Sequence, residues 1–250
     1  MPTDLWVLDV SRGTSSRFTF DAGEDVCGIY SPDKSRIAWS FNRSGYNDIY
    51  AKPADGRGND ELLLKTDAPK WPDDWSSDGK YILYETVDPK TKFDLWVLPT
   101  SGDRKPVPYL KAEYNEAHSR FSPNGKWIAY ASDESGRTEL YVQSFPAGAG
   151  KWQISKNGGD QPSWRRDGKE LFYVAPDGKL RAVEIKEANS TFQPAGTTIL
   201  SGVMISPTSI NSSKSYYVAS ASGQKFLVSF PVADAFPITV IENWTVLLKK

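Results

Sequence analysis

The chain has 250 residues, enough for one large domain or two small ones. Its 30 basic and 31 acidic side chains balance, so bulk charge gives no argument for nucleic acid or an anionic membrane as partner. A single cysteine, Cys27, excludes an internal disulfide, and no apolar run approaches the roughly 20 residues that would span a bilayer.

In chain order, residues 4–20 predict two strands, 4–10 and 17–20, around a turn at Gly13-Thr14. Asp21 to Thr66 then reads as a first complete repeat. Its signature is Tyr30-Ser31-Pro32-Asp33-Lys34-Ser35-Arg36-Ile37-Ala38-Trp39: an aromatic strand end, a tight turn, and an apolar strand of good β-formers. The phrase returns at Trp75–Tyr84 and, most clearly, at Phe121-Ser122-Pro123-Asn124-Gly125-Lys126-Trp127-Ile128-Ala129-Tyr130. It returns again at Trp164–Tyr173, where Arg165-Arg166 replaces Ser-Pro, and in degraded form at Val218–Val228. The turn positions Asp33, Asp78, Asn124, Asp167 and Ser222 are spaced by 45, 46, 43 and 55 residues.

A period near 45 residues with four short strands per repeat predicts an all-β propeller of four-stranded antiparallel blades. The blades are expected at about 21–66, 67–110, 111–155 and 156–200. A composite fifth joins 201–250 to residues 1–20, so that N-terminal and C-terminal strands pair and close the ring. Five blades is the first expectation and six the alternative. Residues 1–250 then form one domain. Closing the ring would bury two open sheet edges.

The motif Phe/Trp-Ser-Pro-Asp/Asn-Gly-Lys-x-Ile-Ala-Tyr is followed in the third repeat by Ser132-Asp133-Glu134-Ser135-Gly136-Arg137-Thr138-Glu139-Leu140-Tyr141-Val142. Together they resemble the TolB-type propeller repeat. The longer phrases Asp94–Pro99, Gly102–Pro106, Gly150–Ser155, Trp164–Tyr173 and Asn243-Trp244-Thr245 resemble the C-terminal propeller of bacterial, chiefly acidobacterial, eukaryotic-like serine/threonine kinases. That family carries further repeats upstream, so the chain looks like a fragment or a shortened relative. No kinase catalytic loop or Asp-Phe-Gly is present. The resemblance implies a sensing or protein-binding module, extracytoplasmic if it belongs to a kinase receptor.

Candidate chemistry is sparse. His118 is the only histidine, which rules out a His-rich zinc site. In repeat register it shares a slot with Cys27, Pro72 and Gln161, expected just before the innermost strand. Acidic residues gather at the same places: Glu24, Asp25, Asp73, Asp74, Glu116 and Asp160. They suit ordinary solvation, a funnel for a basic peptide, or a weak Ca²⁺ site of oxygen ligands, although no Asp-x-Asp-x-Asp-Gly loop occurs. Trp71 and Tyr114 are expected in these same loops as partner anchors or blade caps. No Gly-x-Ser-x-Gly elbow is present for a serine hydrolase.

These features predict a non-catalytic recognition propeller without a cofactor. Its channel mouth, lined by Asp25, Trp71, Asp73, Glu116, His118 and Gln161, would take a protein, peptide or small ligand. The alternative is a hydrolase or lyase with its site around His118. Trp39, Trp75, Trp96, Trp127 and Trp164 sit at strand positions and read as core.

Overall fold

The computed structural model describes residues 3–148, 150–188, 191–205, 215–229 and 238–242. They fall into two compact units, Met1–Glu113 and Tyr114–Lys250.

The first unit opens with a hairpin of β1 (Trp6–Asp9) and β2 (Thr14–Arg17). The return strand therefore lies at 14–17 and not, as the sequence suggests, at 17–20. The Asp9 carboxylate accepts from Ser11 and from the Arg12 N–H, and Gly13 takes a left-handed φ of 66°. The turn closes early, so Thr14 already faces Asp9. Phe18 is left free to enter the core, while Phe20 stays exposed.

Two four-stranded antiparallel sheets follow. One comprises β3 (Asp25–Tyr30), β4 (Arg36–Phe41), β5 (Asp48–Pro53) and β6 (Glu61–Leu64). The next comprises β7 (Lys70–Trp75), β8 (Tyr81–Asp88), β9 (Lys92–Pro99) and β10 (Val107–Leu110). The second unit holds two more: β11 (Glu116–Phe121), β12 (Trp127–Ser132), β13 (Glu139–Ser144) and β14 (Lys151–Gln153), then β15 (Asp160–Trp164), β16 (Glu170–Val174), β17 (Lys179–Ala188) and β18 (Thr191–Met204). It ends with a three-stranded sheet of β19 (Tyr217–Ala219), β20 (Lys225–Ser229) and β21 (Ile238–Glu242). In each sheet the strands lie in chain order, as up-and-down meanders joined by short turns. The expected pairing of N-terminal with C-terminal strands involves Asn243–Leu248, which lies outside the described residues.

The repeated turn explains why one phrase recurs. Ser31 Oγ donates to Asp33 Oδ1 at 2.6 Å and accepts the Arg36 N–H at 2.9 Å. Ser76 and Asp78 repeat this, as do Ser122 and Asn124. An Asx oxygen and a hydroxyl thus satisfy backbone that the ladder cannot reach. The following residue is left-handed each time: Gly79, Gly125, Gly168 and Gly223 at φ 70–75°, but Lys34 at φ 60° in the first sheet.

The core lies between neighbouring sheets. In the first unit Ala38, Ile49 and Ala51 pack against Ile82, Tyr84 and Leu98. In the second, Trp127, Ala129, Leu140 and Val142 pack against Leu171, Tyr173, Val183 and Phe192. Trp127 stands edge-on to Trp152 with centroids 5.3 Å apart. All six residues of β12 are buried, because this strand meets apolar side chains on both faces. The strand tryptophans are core or partly buried against it, as their positions suggest.

Candidate functional site

The first strand of three of the four four-stranded sheets carries a β-bulge in the slot that His118 occupies. Cys27-Gly28 together oppose Trp39, His118-Ser119 oppose Tyr130, and Gln161-Pro162 oppose Tyr173. Cys27, His118 and Gln161 have φ of 56°, 53° and 53°. None is glycine, and a left-handed residue with a Cβ costs roughly 1–2 kcal/mol. The surrounding ladder must hold it, and such outliers cluster at functional sites. In the second sheet the slot is Pro72, whose ring fixes φ near −65°. There the irregularity falls between Pro72 and Asp74 instead. The sequence places this slot before the first strand of the sheet; the structure places it inside that strand, because the extra bulge residue lets pairing resume beyond it. Trp71 is corrected in the same way, from loop to β7. Tyr114 does lie outside the strands, at a bend.

A second repeated device begins the third strand of three sheets. Asp48, Asp94 and Glu139 are fully buried carboxylates. Each binds the segment that leads onward to the next sheet. Asp48 meets Lys70 Nζ at 2.9 Å, Asp94 meets Lys111 at 4.0 Å, and Glu139 accepts from Ser155 Oγ and, at 3.0 Å, from the Gly158 N–H. Lys70 is itself buried, and that burial pulls its ammonium below the ordinary lysine range despite the Asp48 contact. These are structural ties.

The six residues expected at a channel mouth fall three to each unit. In the first unit, β3 and β7 lie side by side. Asp25 is 2% exposed and accepts the Trp39 indole N–H at 2.7 Å. Burial pushes its carboxyl above the usual range, outweighing the donors from Thr19 and Trp39. Trp71 packs against Phe93 with centroids 6.0 Å apart, and Asp73 is buried in the bulge region.

In the second unit, β11 and β15 are neighbours, and here the residues converge. His118 Nδ1 lies 2.5 Å from Asp160 Oδ1, which also accepts the Gln161 N–H at 2.7 Å. Gln161 then reaches the last sheet: its Oε1 accepts the Tyr216 N–H and its carbonyl accepts the Tyr217 hydroxyl. Burial holds the Tyr217 phenol protonated, far above its ordinary range. Glu116 begins β11, buried opposite Ser132. Three sheets are thus joined by one polar chain whose members are fixed by both backbone and side chain.

Asp160 also lines a cavity of about 400 Å³ with Arg137, Thr138, Asn157, Gly158, Gly159, Val174, Ala175 and Pro176. The sequence marks Asp160 as one acidic residue among several and passes over Arg137, Thr138 and Asn157. The one available signal was Asn157-Gly158-Gly159, a run that lets backbone form a wall. Among the described residues, no group of three or more His, Cys, Asp or Glu is arranged to hold a metal ion. Nor is any helix there long and apolar enough to cross a membrane.

No family model matches the chain. It is 26% identical over 168 residues to the Tol-Pal system protein TolB of Wolinella succinogenes, covering 60% of this chain and 38% of that protein. The same protein of Helicobacter pylori is 26% identical over 151 residues, covering 57% and 36%. The chain spans well under half the length of these curated relatives. Among solved structures, TolB from Acinetobacter baumannii superposes with a TM-score of 0.73 over 96% of this chain and 57% of that one, at 16% identity. An oligogalacturonate lyase in complex with manganese gives 0.64, at 12% identity over 98% and 69%. The fold is therefore all-β and TolB-propeller-like.

Proposed function

We propose that the chain is a non-catalytic recognition propeller that binds a protein or peptide, with five blades and a ring closed by its terminal strands. The observation that carries this reading is the His118–Asp160–Gln161 chain, set at left-handed bulges beside an open cavity. A rigid polar edge next to a pocket presents groups to a ligand without the entropy of ordering them. The similarity to Tol-Pal system proteins agrees with a protein partner. In a closed ring the first unit's Asp25, Trp71 and Asp73 contribute the corresponding edge. Attachment to a kinase receptor, with an extracytoplasmic location, remains the proposal of the sequence phrases.

The lyase or hydrolase reading has less support. His118 is only 2% exposed, so a substrate proton would not reach its ring without rearrangement. Similarity to a lyase at 12% identity concerns fold alone.

The test is to select binders from a random peptide library against the full chain and map them by amide chemical shifts. Binders that move residues 116–120 and 157–161 support the reading. Binders that map elsewhere, or turnover of pectic oligosaccharides or peptides that is lost in His118→Asn, would overturn it.

A further inference from the structure

The cavity of about 400 Å³ in the second unit has a floor of backbone and one apolar wall. A Cβ on Gly158 would run into the Pro176 ring, and one on Gly159 would lie 2.7 Å from Ser155 Oγ. Both glycines are therefore required for the cavity to keep its shape. Their N–H groups are already used. Gly158 donates to the buried Glu139 carboxylate at 3.0 Å, and Gly159 donates to the Thr138 carbonyl at 3.2 Å. With those donors committed, the floor gives an added strand no ladder to join. Val174, Ala175 and Pro176 form the apolar wall.

The charged groups at the cavity are held by the protein itself. Arg137 Nε stands 2.9 Å from Glu139 Oε1, and Asp160 is held by His118 and by the Gln161 N–H. A further charge entering here would leave water with no partner reserved for it, which is costly. Other polar groups have capacity to spare. The Thr138 hydroxyl, the Asn157 carboxamide and the two terminal amino groups of Arg137 line the cavity and make no hydrogen bond among the described residues. A carboxamide carries a donor and an acceptor side by side. It thereby complements the N–H and C=O that one extended residue turns to the same side. A cavity of this size holds one side chain with its flanking backbone, at the small end of ligand sites.

We infer that this cavity takes an uncharged aliphatic residue of a peptide, about as long as methionine or norleucine. Its side chain lies along Val174, Ala175 and Pro176, and the Asn157 carboxamide pairs with its N–H and C=O. The Arg137 amino groups and the Thr138 hydroxyl take neighbouring carbonyls. The inference rests on the recognition reading and names the residue class that the cavity selects. Removing the stem from water drives binding, and the side-chain hydrogen bonds set which residue of the peptide enters.

The experiment uses the full chain and three acetylated, amidated hexapeptides, Gly-Ala-X-Ala-Gly-Tyr with X as norleucine, lysine or glutamate. Norleucine and lysine share a stem and differ at the tip. Binding is followed by amide chemical shifts and calorimetry. The norleucine peptide should bind at residues 137–138, 157–160 and 174–175. The lysine and glutamate peptides should bind at least about tenfold more weakly, a difference of 1.4 kcal/mol. Asn157→Ala and Thr138→Val remove side chains that hold nothing else, so each should weaken the norleucine peptide severalfold with an unaltered spectrum elsewhere. Equal binding of the three peptides, or a preference for lysine or glutamate, would overturn the aliphatic assignment and leave the recognition reading standing. Unchanged affinity in both variants would overturn the hydrogen-bonded pose. Binding of these peptides confined to other residues would overturn the site. If none of the three binds while library-selected peptides still move residues 116–120 and 157–161, the aliphatic assignment falls alone. If those peptides fail as well, the recognition reading falls with it.

Discussion

Lys34 occupies the turn position that is glycine in the other repeats. It holds φ 60°, and its N–H donates to the Ser31 carbonyl at 2.8 Å, as the Gly79 N–H does to Ser76. Its side chain is exposed and makes no ion pair among the described residues. Lys34→Gly therefore removes strain and no contact. Relief of a left-handed Cβ is worth roughly 1–2 kcal/mol. The greater freedom of glycine in the unfolded chain offsets about 0.4–1 kcal/mol of it. A net gain of about 0.5–1 kcal/mol should raise the melting temperature by roughly 1–4 °C for a chain of this size. The reciprocal change is Gly125→Ala, at φ 70° with nothing within 4 Å of the added Cβ. It isolates strain from clash and should cost about 1 kcal/mol. Urea and thermal unfolding of the full chain read both, with separate transitions assigned to the first and second units if they unfold independently. If Lys34→Gly lowers the midpoint, or Gly125→Ala leaves it unmoved, the strain argument for this turn is wrong.

Asp33 is held down to about 2 by the Ser31 hydroxyl and the Ser35 N–H and hydroxyl. Its folded value lies below its unfolded one, so its contribution is present above about 3.8 and is lost as pH falls towards 2. A carboxyl carbon NMR titration checks this; a midpoint near 3.8 would contradict it, and the Asn124 turn should show no such dependence. Asp25, raised by burial, runs the other way: its contribution is largest at low pH and is lost as pH rises through its folded value. Lys70→Met strands the buried Asp48 charge and should cost about 3–5 kcal/mol in urea unfolding. Adding Asp48→Asn should restore part of that loss, and simple additivity would refute the pairing. Trp127→Ala empties the space against Trp152 and Phe192 and should cost about 3–5 kcal/mol.

Much of the architecture is legible in the residues because turn chemistry is local. Ser-Pro-Asx-Gly closes a hairpin through bonds two to five residues apart, so each copy can be read without knowing the others. The core tryptophans are legible for the same reason, since strand alternation places them. The bulges are not. Cys27, His118 and Gln161 take a conformation that glycine or asparagine would have announced, and the ladder imposes it on residues with no preference for it. Asp160 illustrates a second limit. Its partner lies 42 residues away, so only the adjacency of β11 and β15 distinguishes it from the other acids. The early closure at Gly13 is not legible in the sequence pattern, because the Asp9 carboxylate, not an apolar pattern, sets where that turn ends.

The buried acids Asp48, Asp94 and Glu139 have a practical corollary for anyone dissecting the molecule. Each one belongs to one repeat, while at least one group that neutralises or solvates it (Lys70, Lys111 or the Gly158 N–H) comes from the start of the following repeat or the stretch leading to it. A scissor placed at the apparent seam, after Leu64 for instance, would sever Asp48 from Lys70 and leave an anion with no counter-charge in a dry interior. Excisable modules of this chain are thus offset from its written repeats. A truncation that keeps the lysine with its acid should stay soluble where one cut at the motif boundary does not.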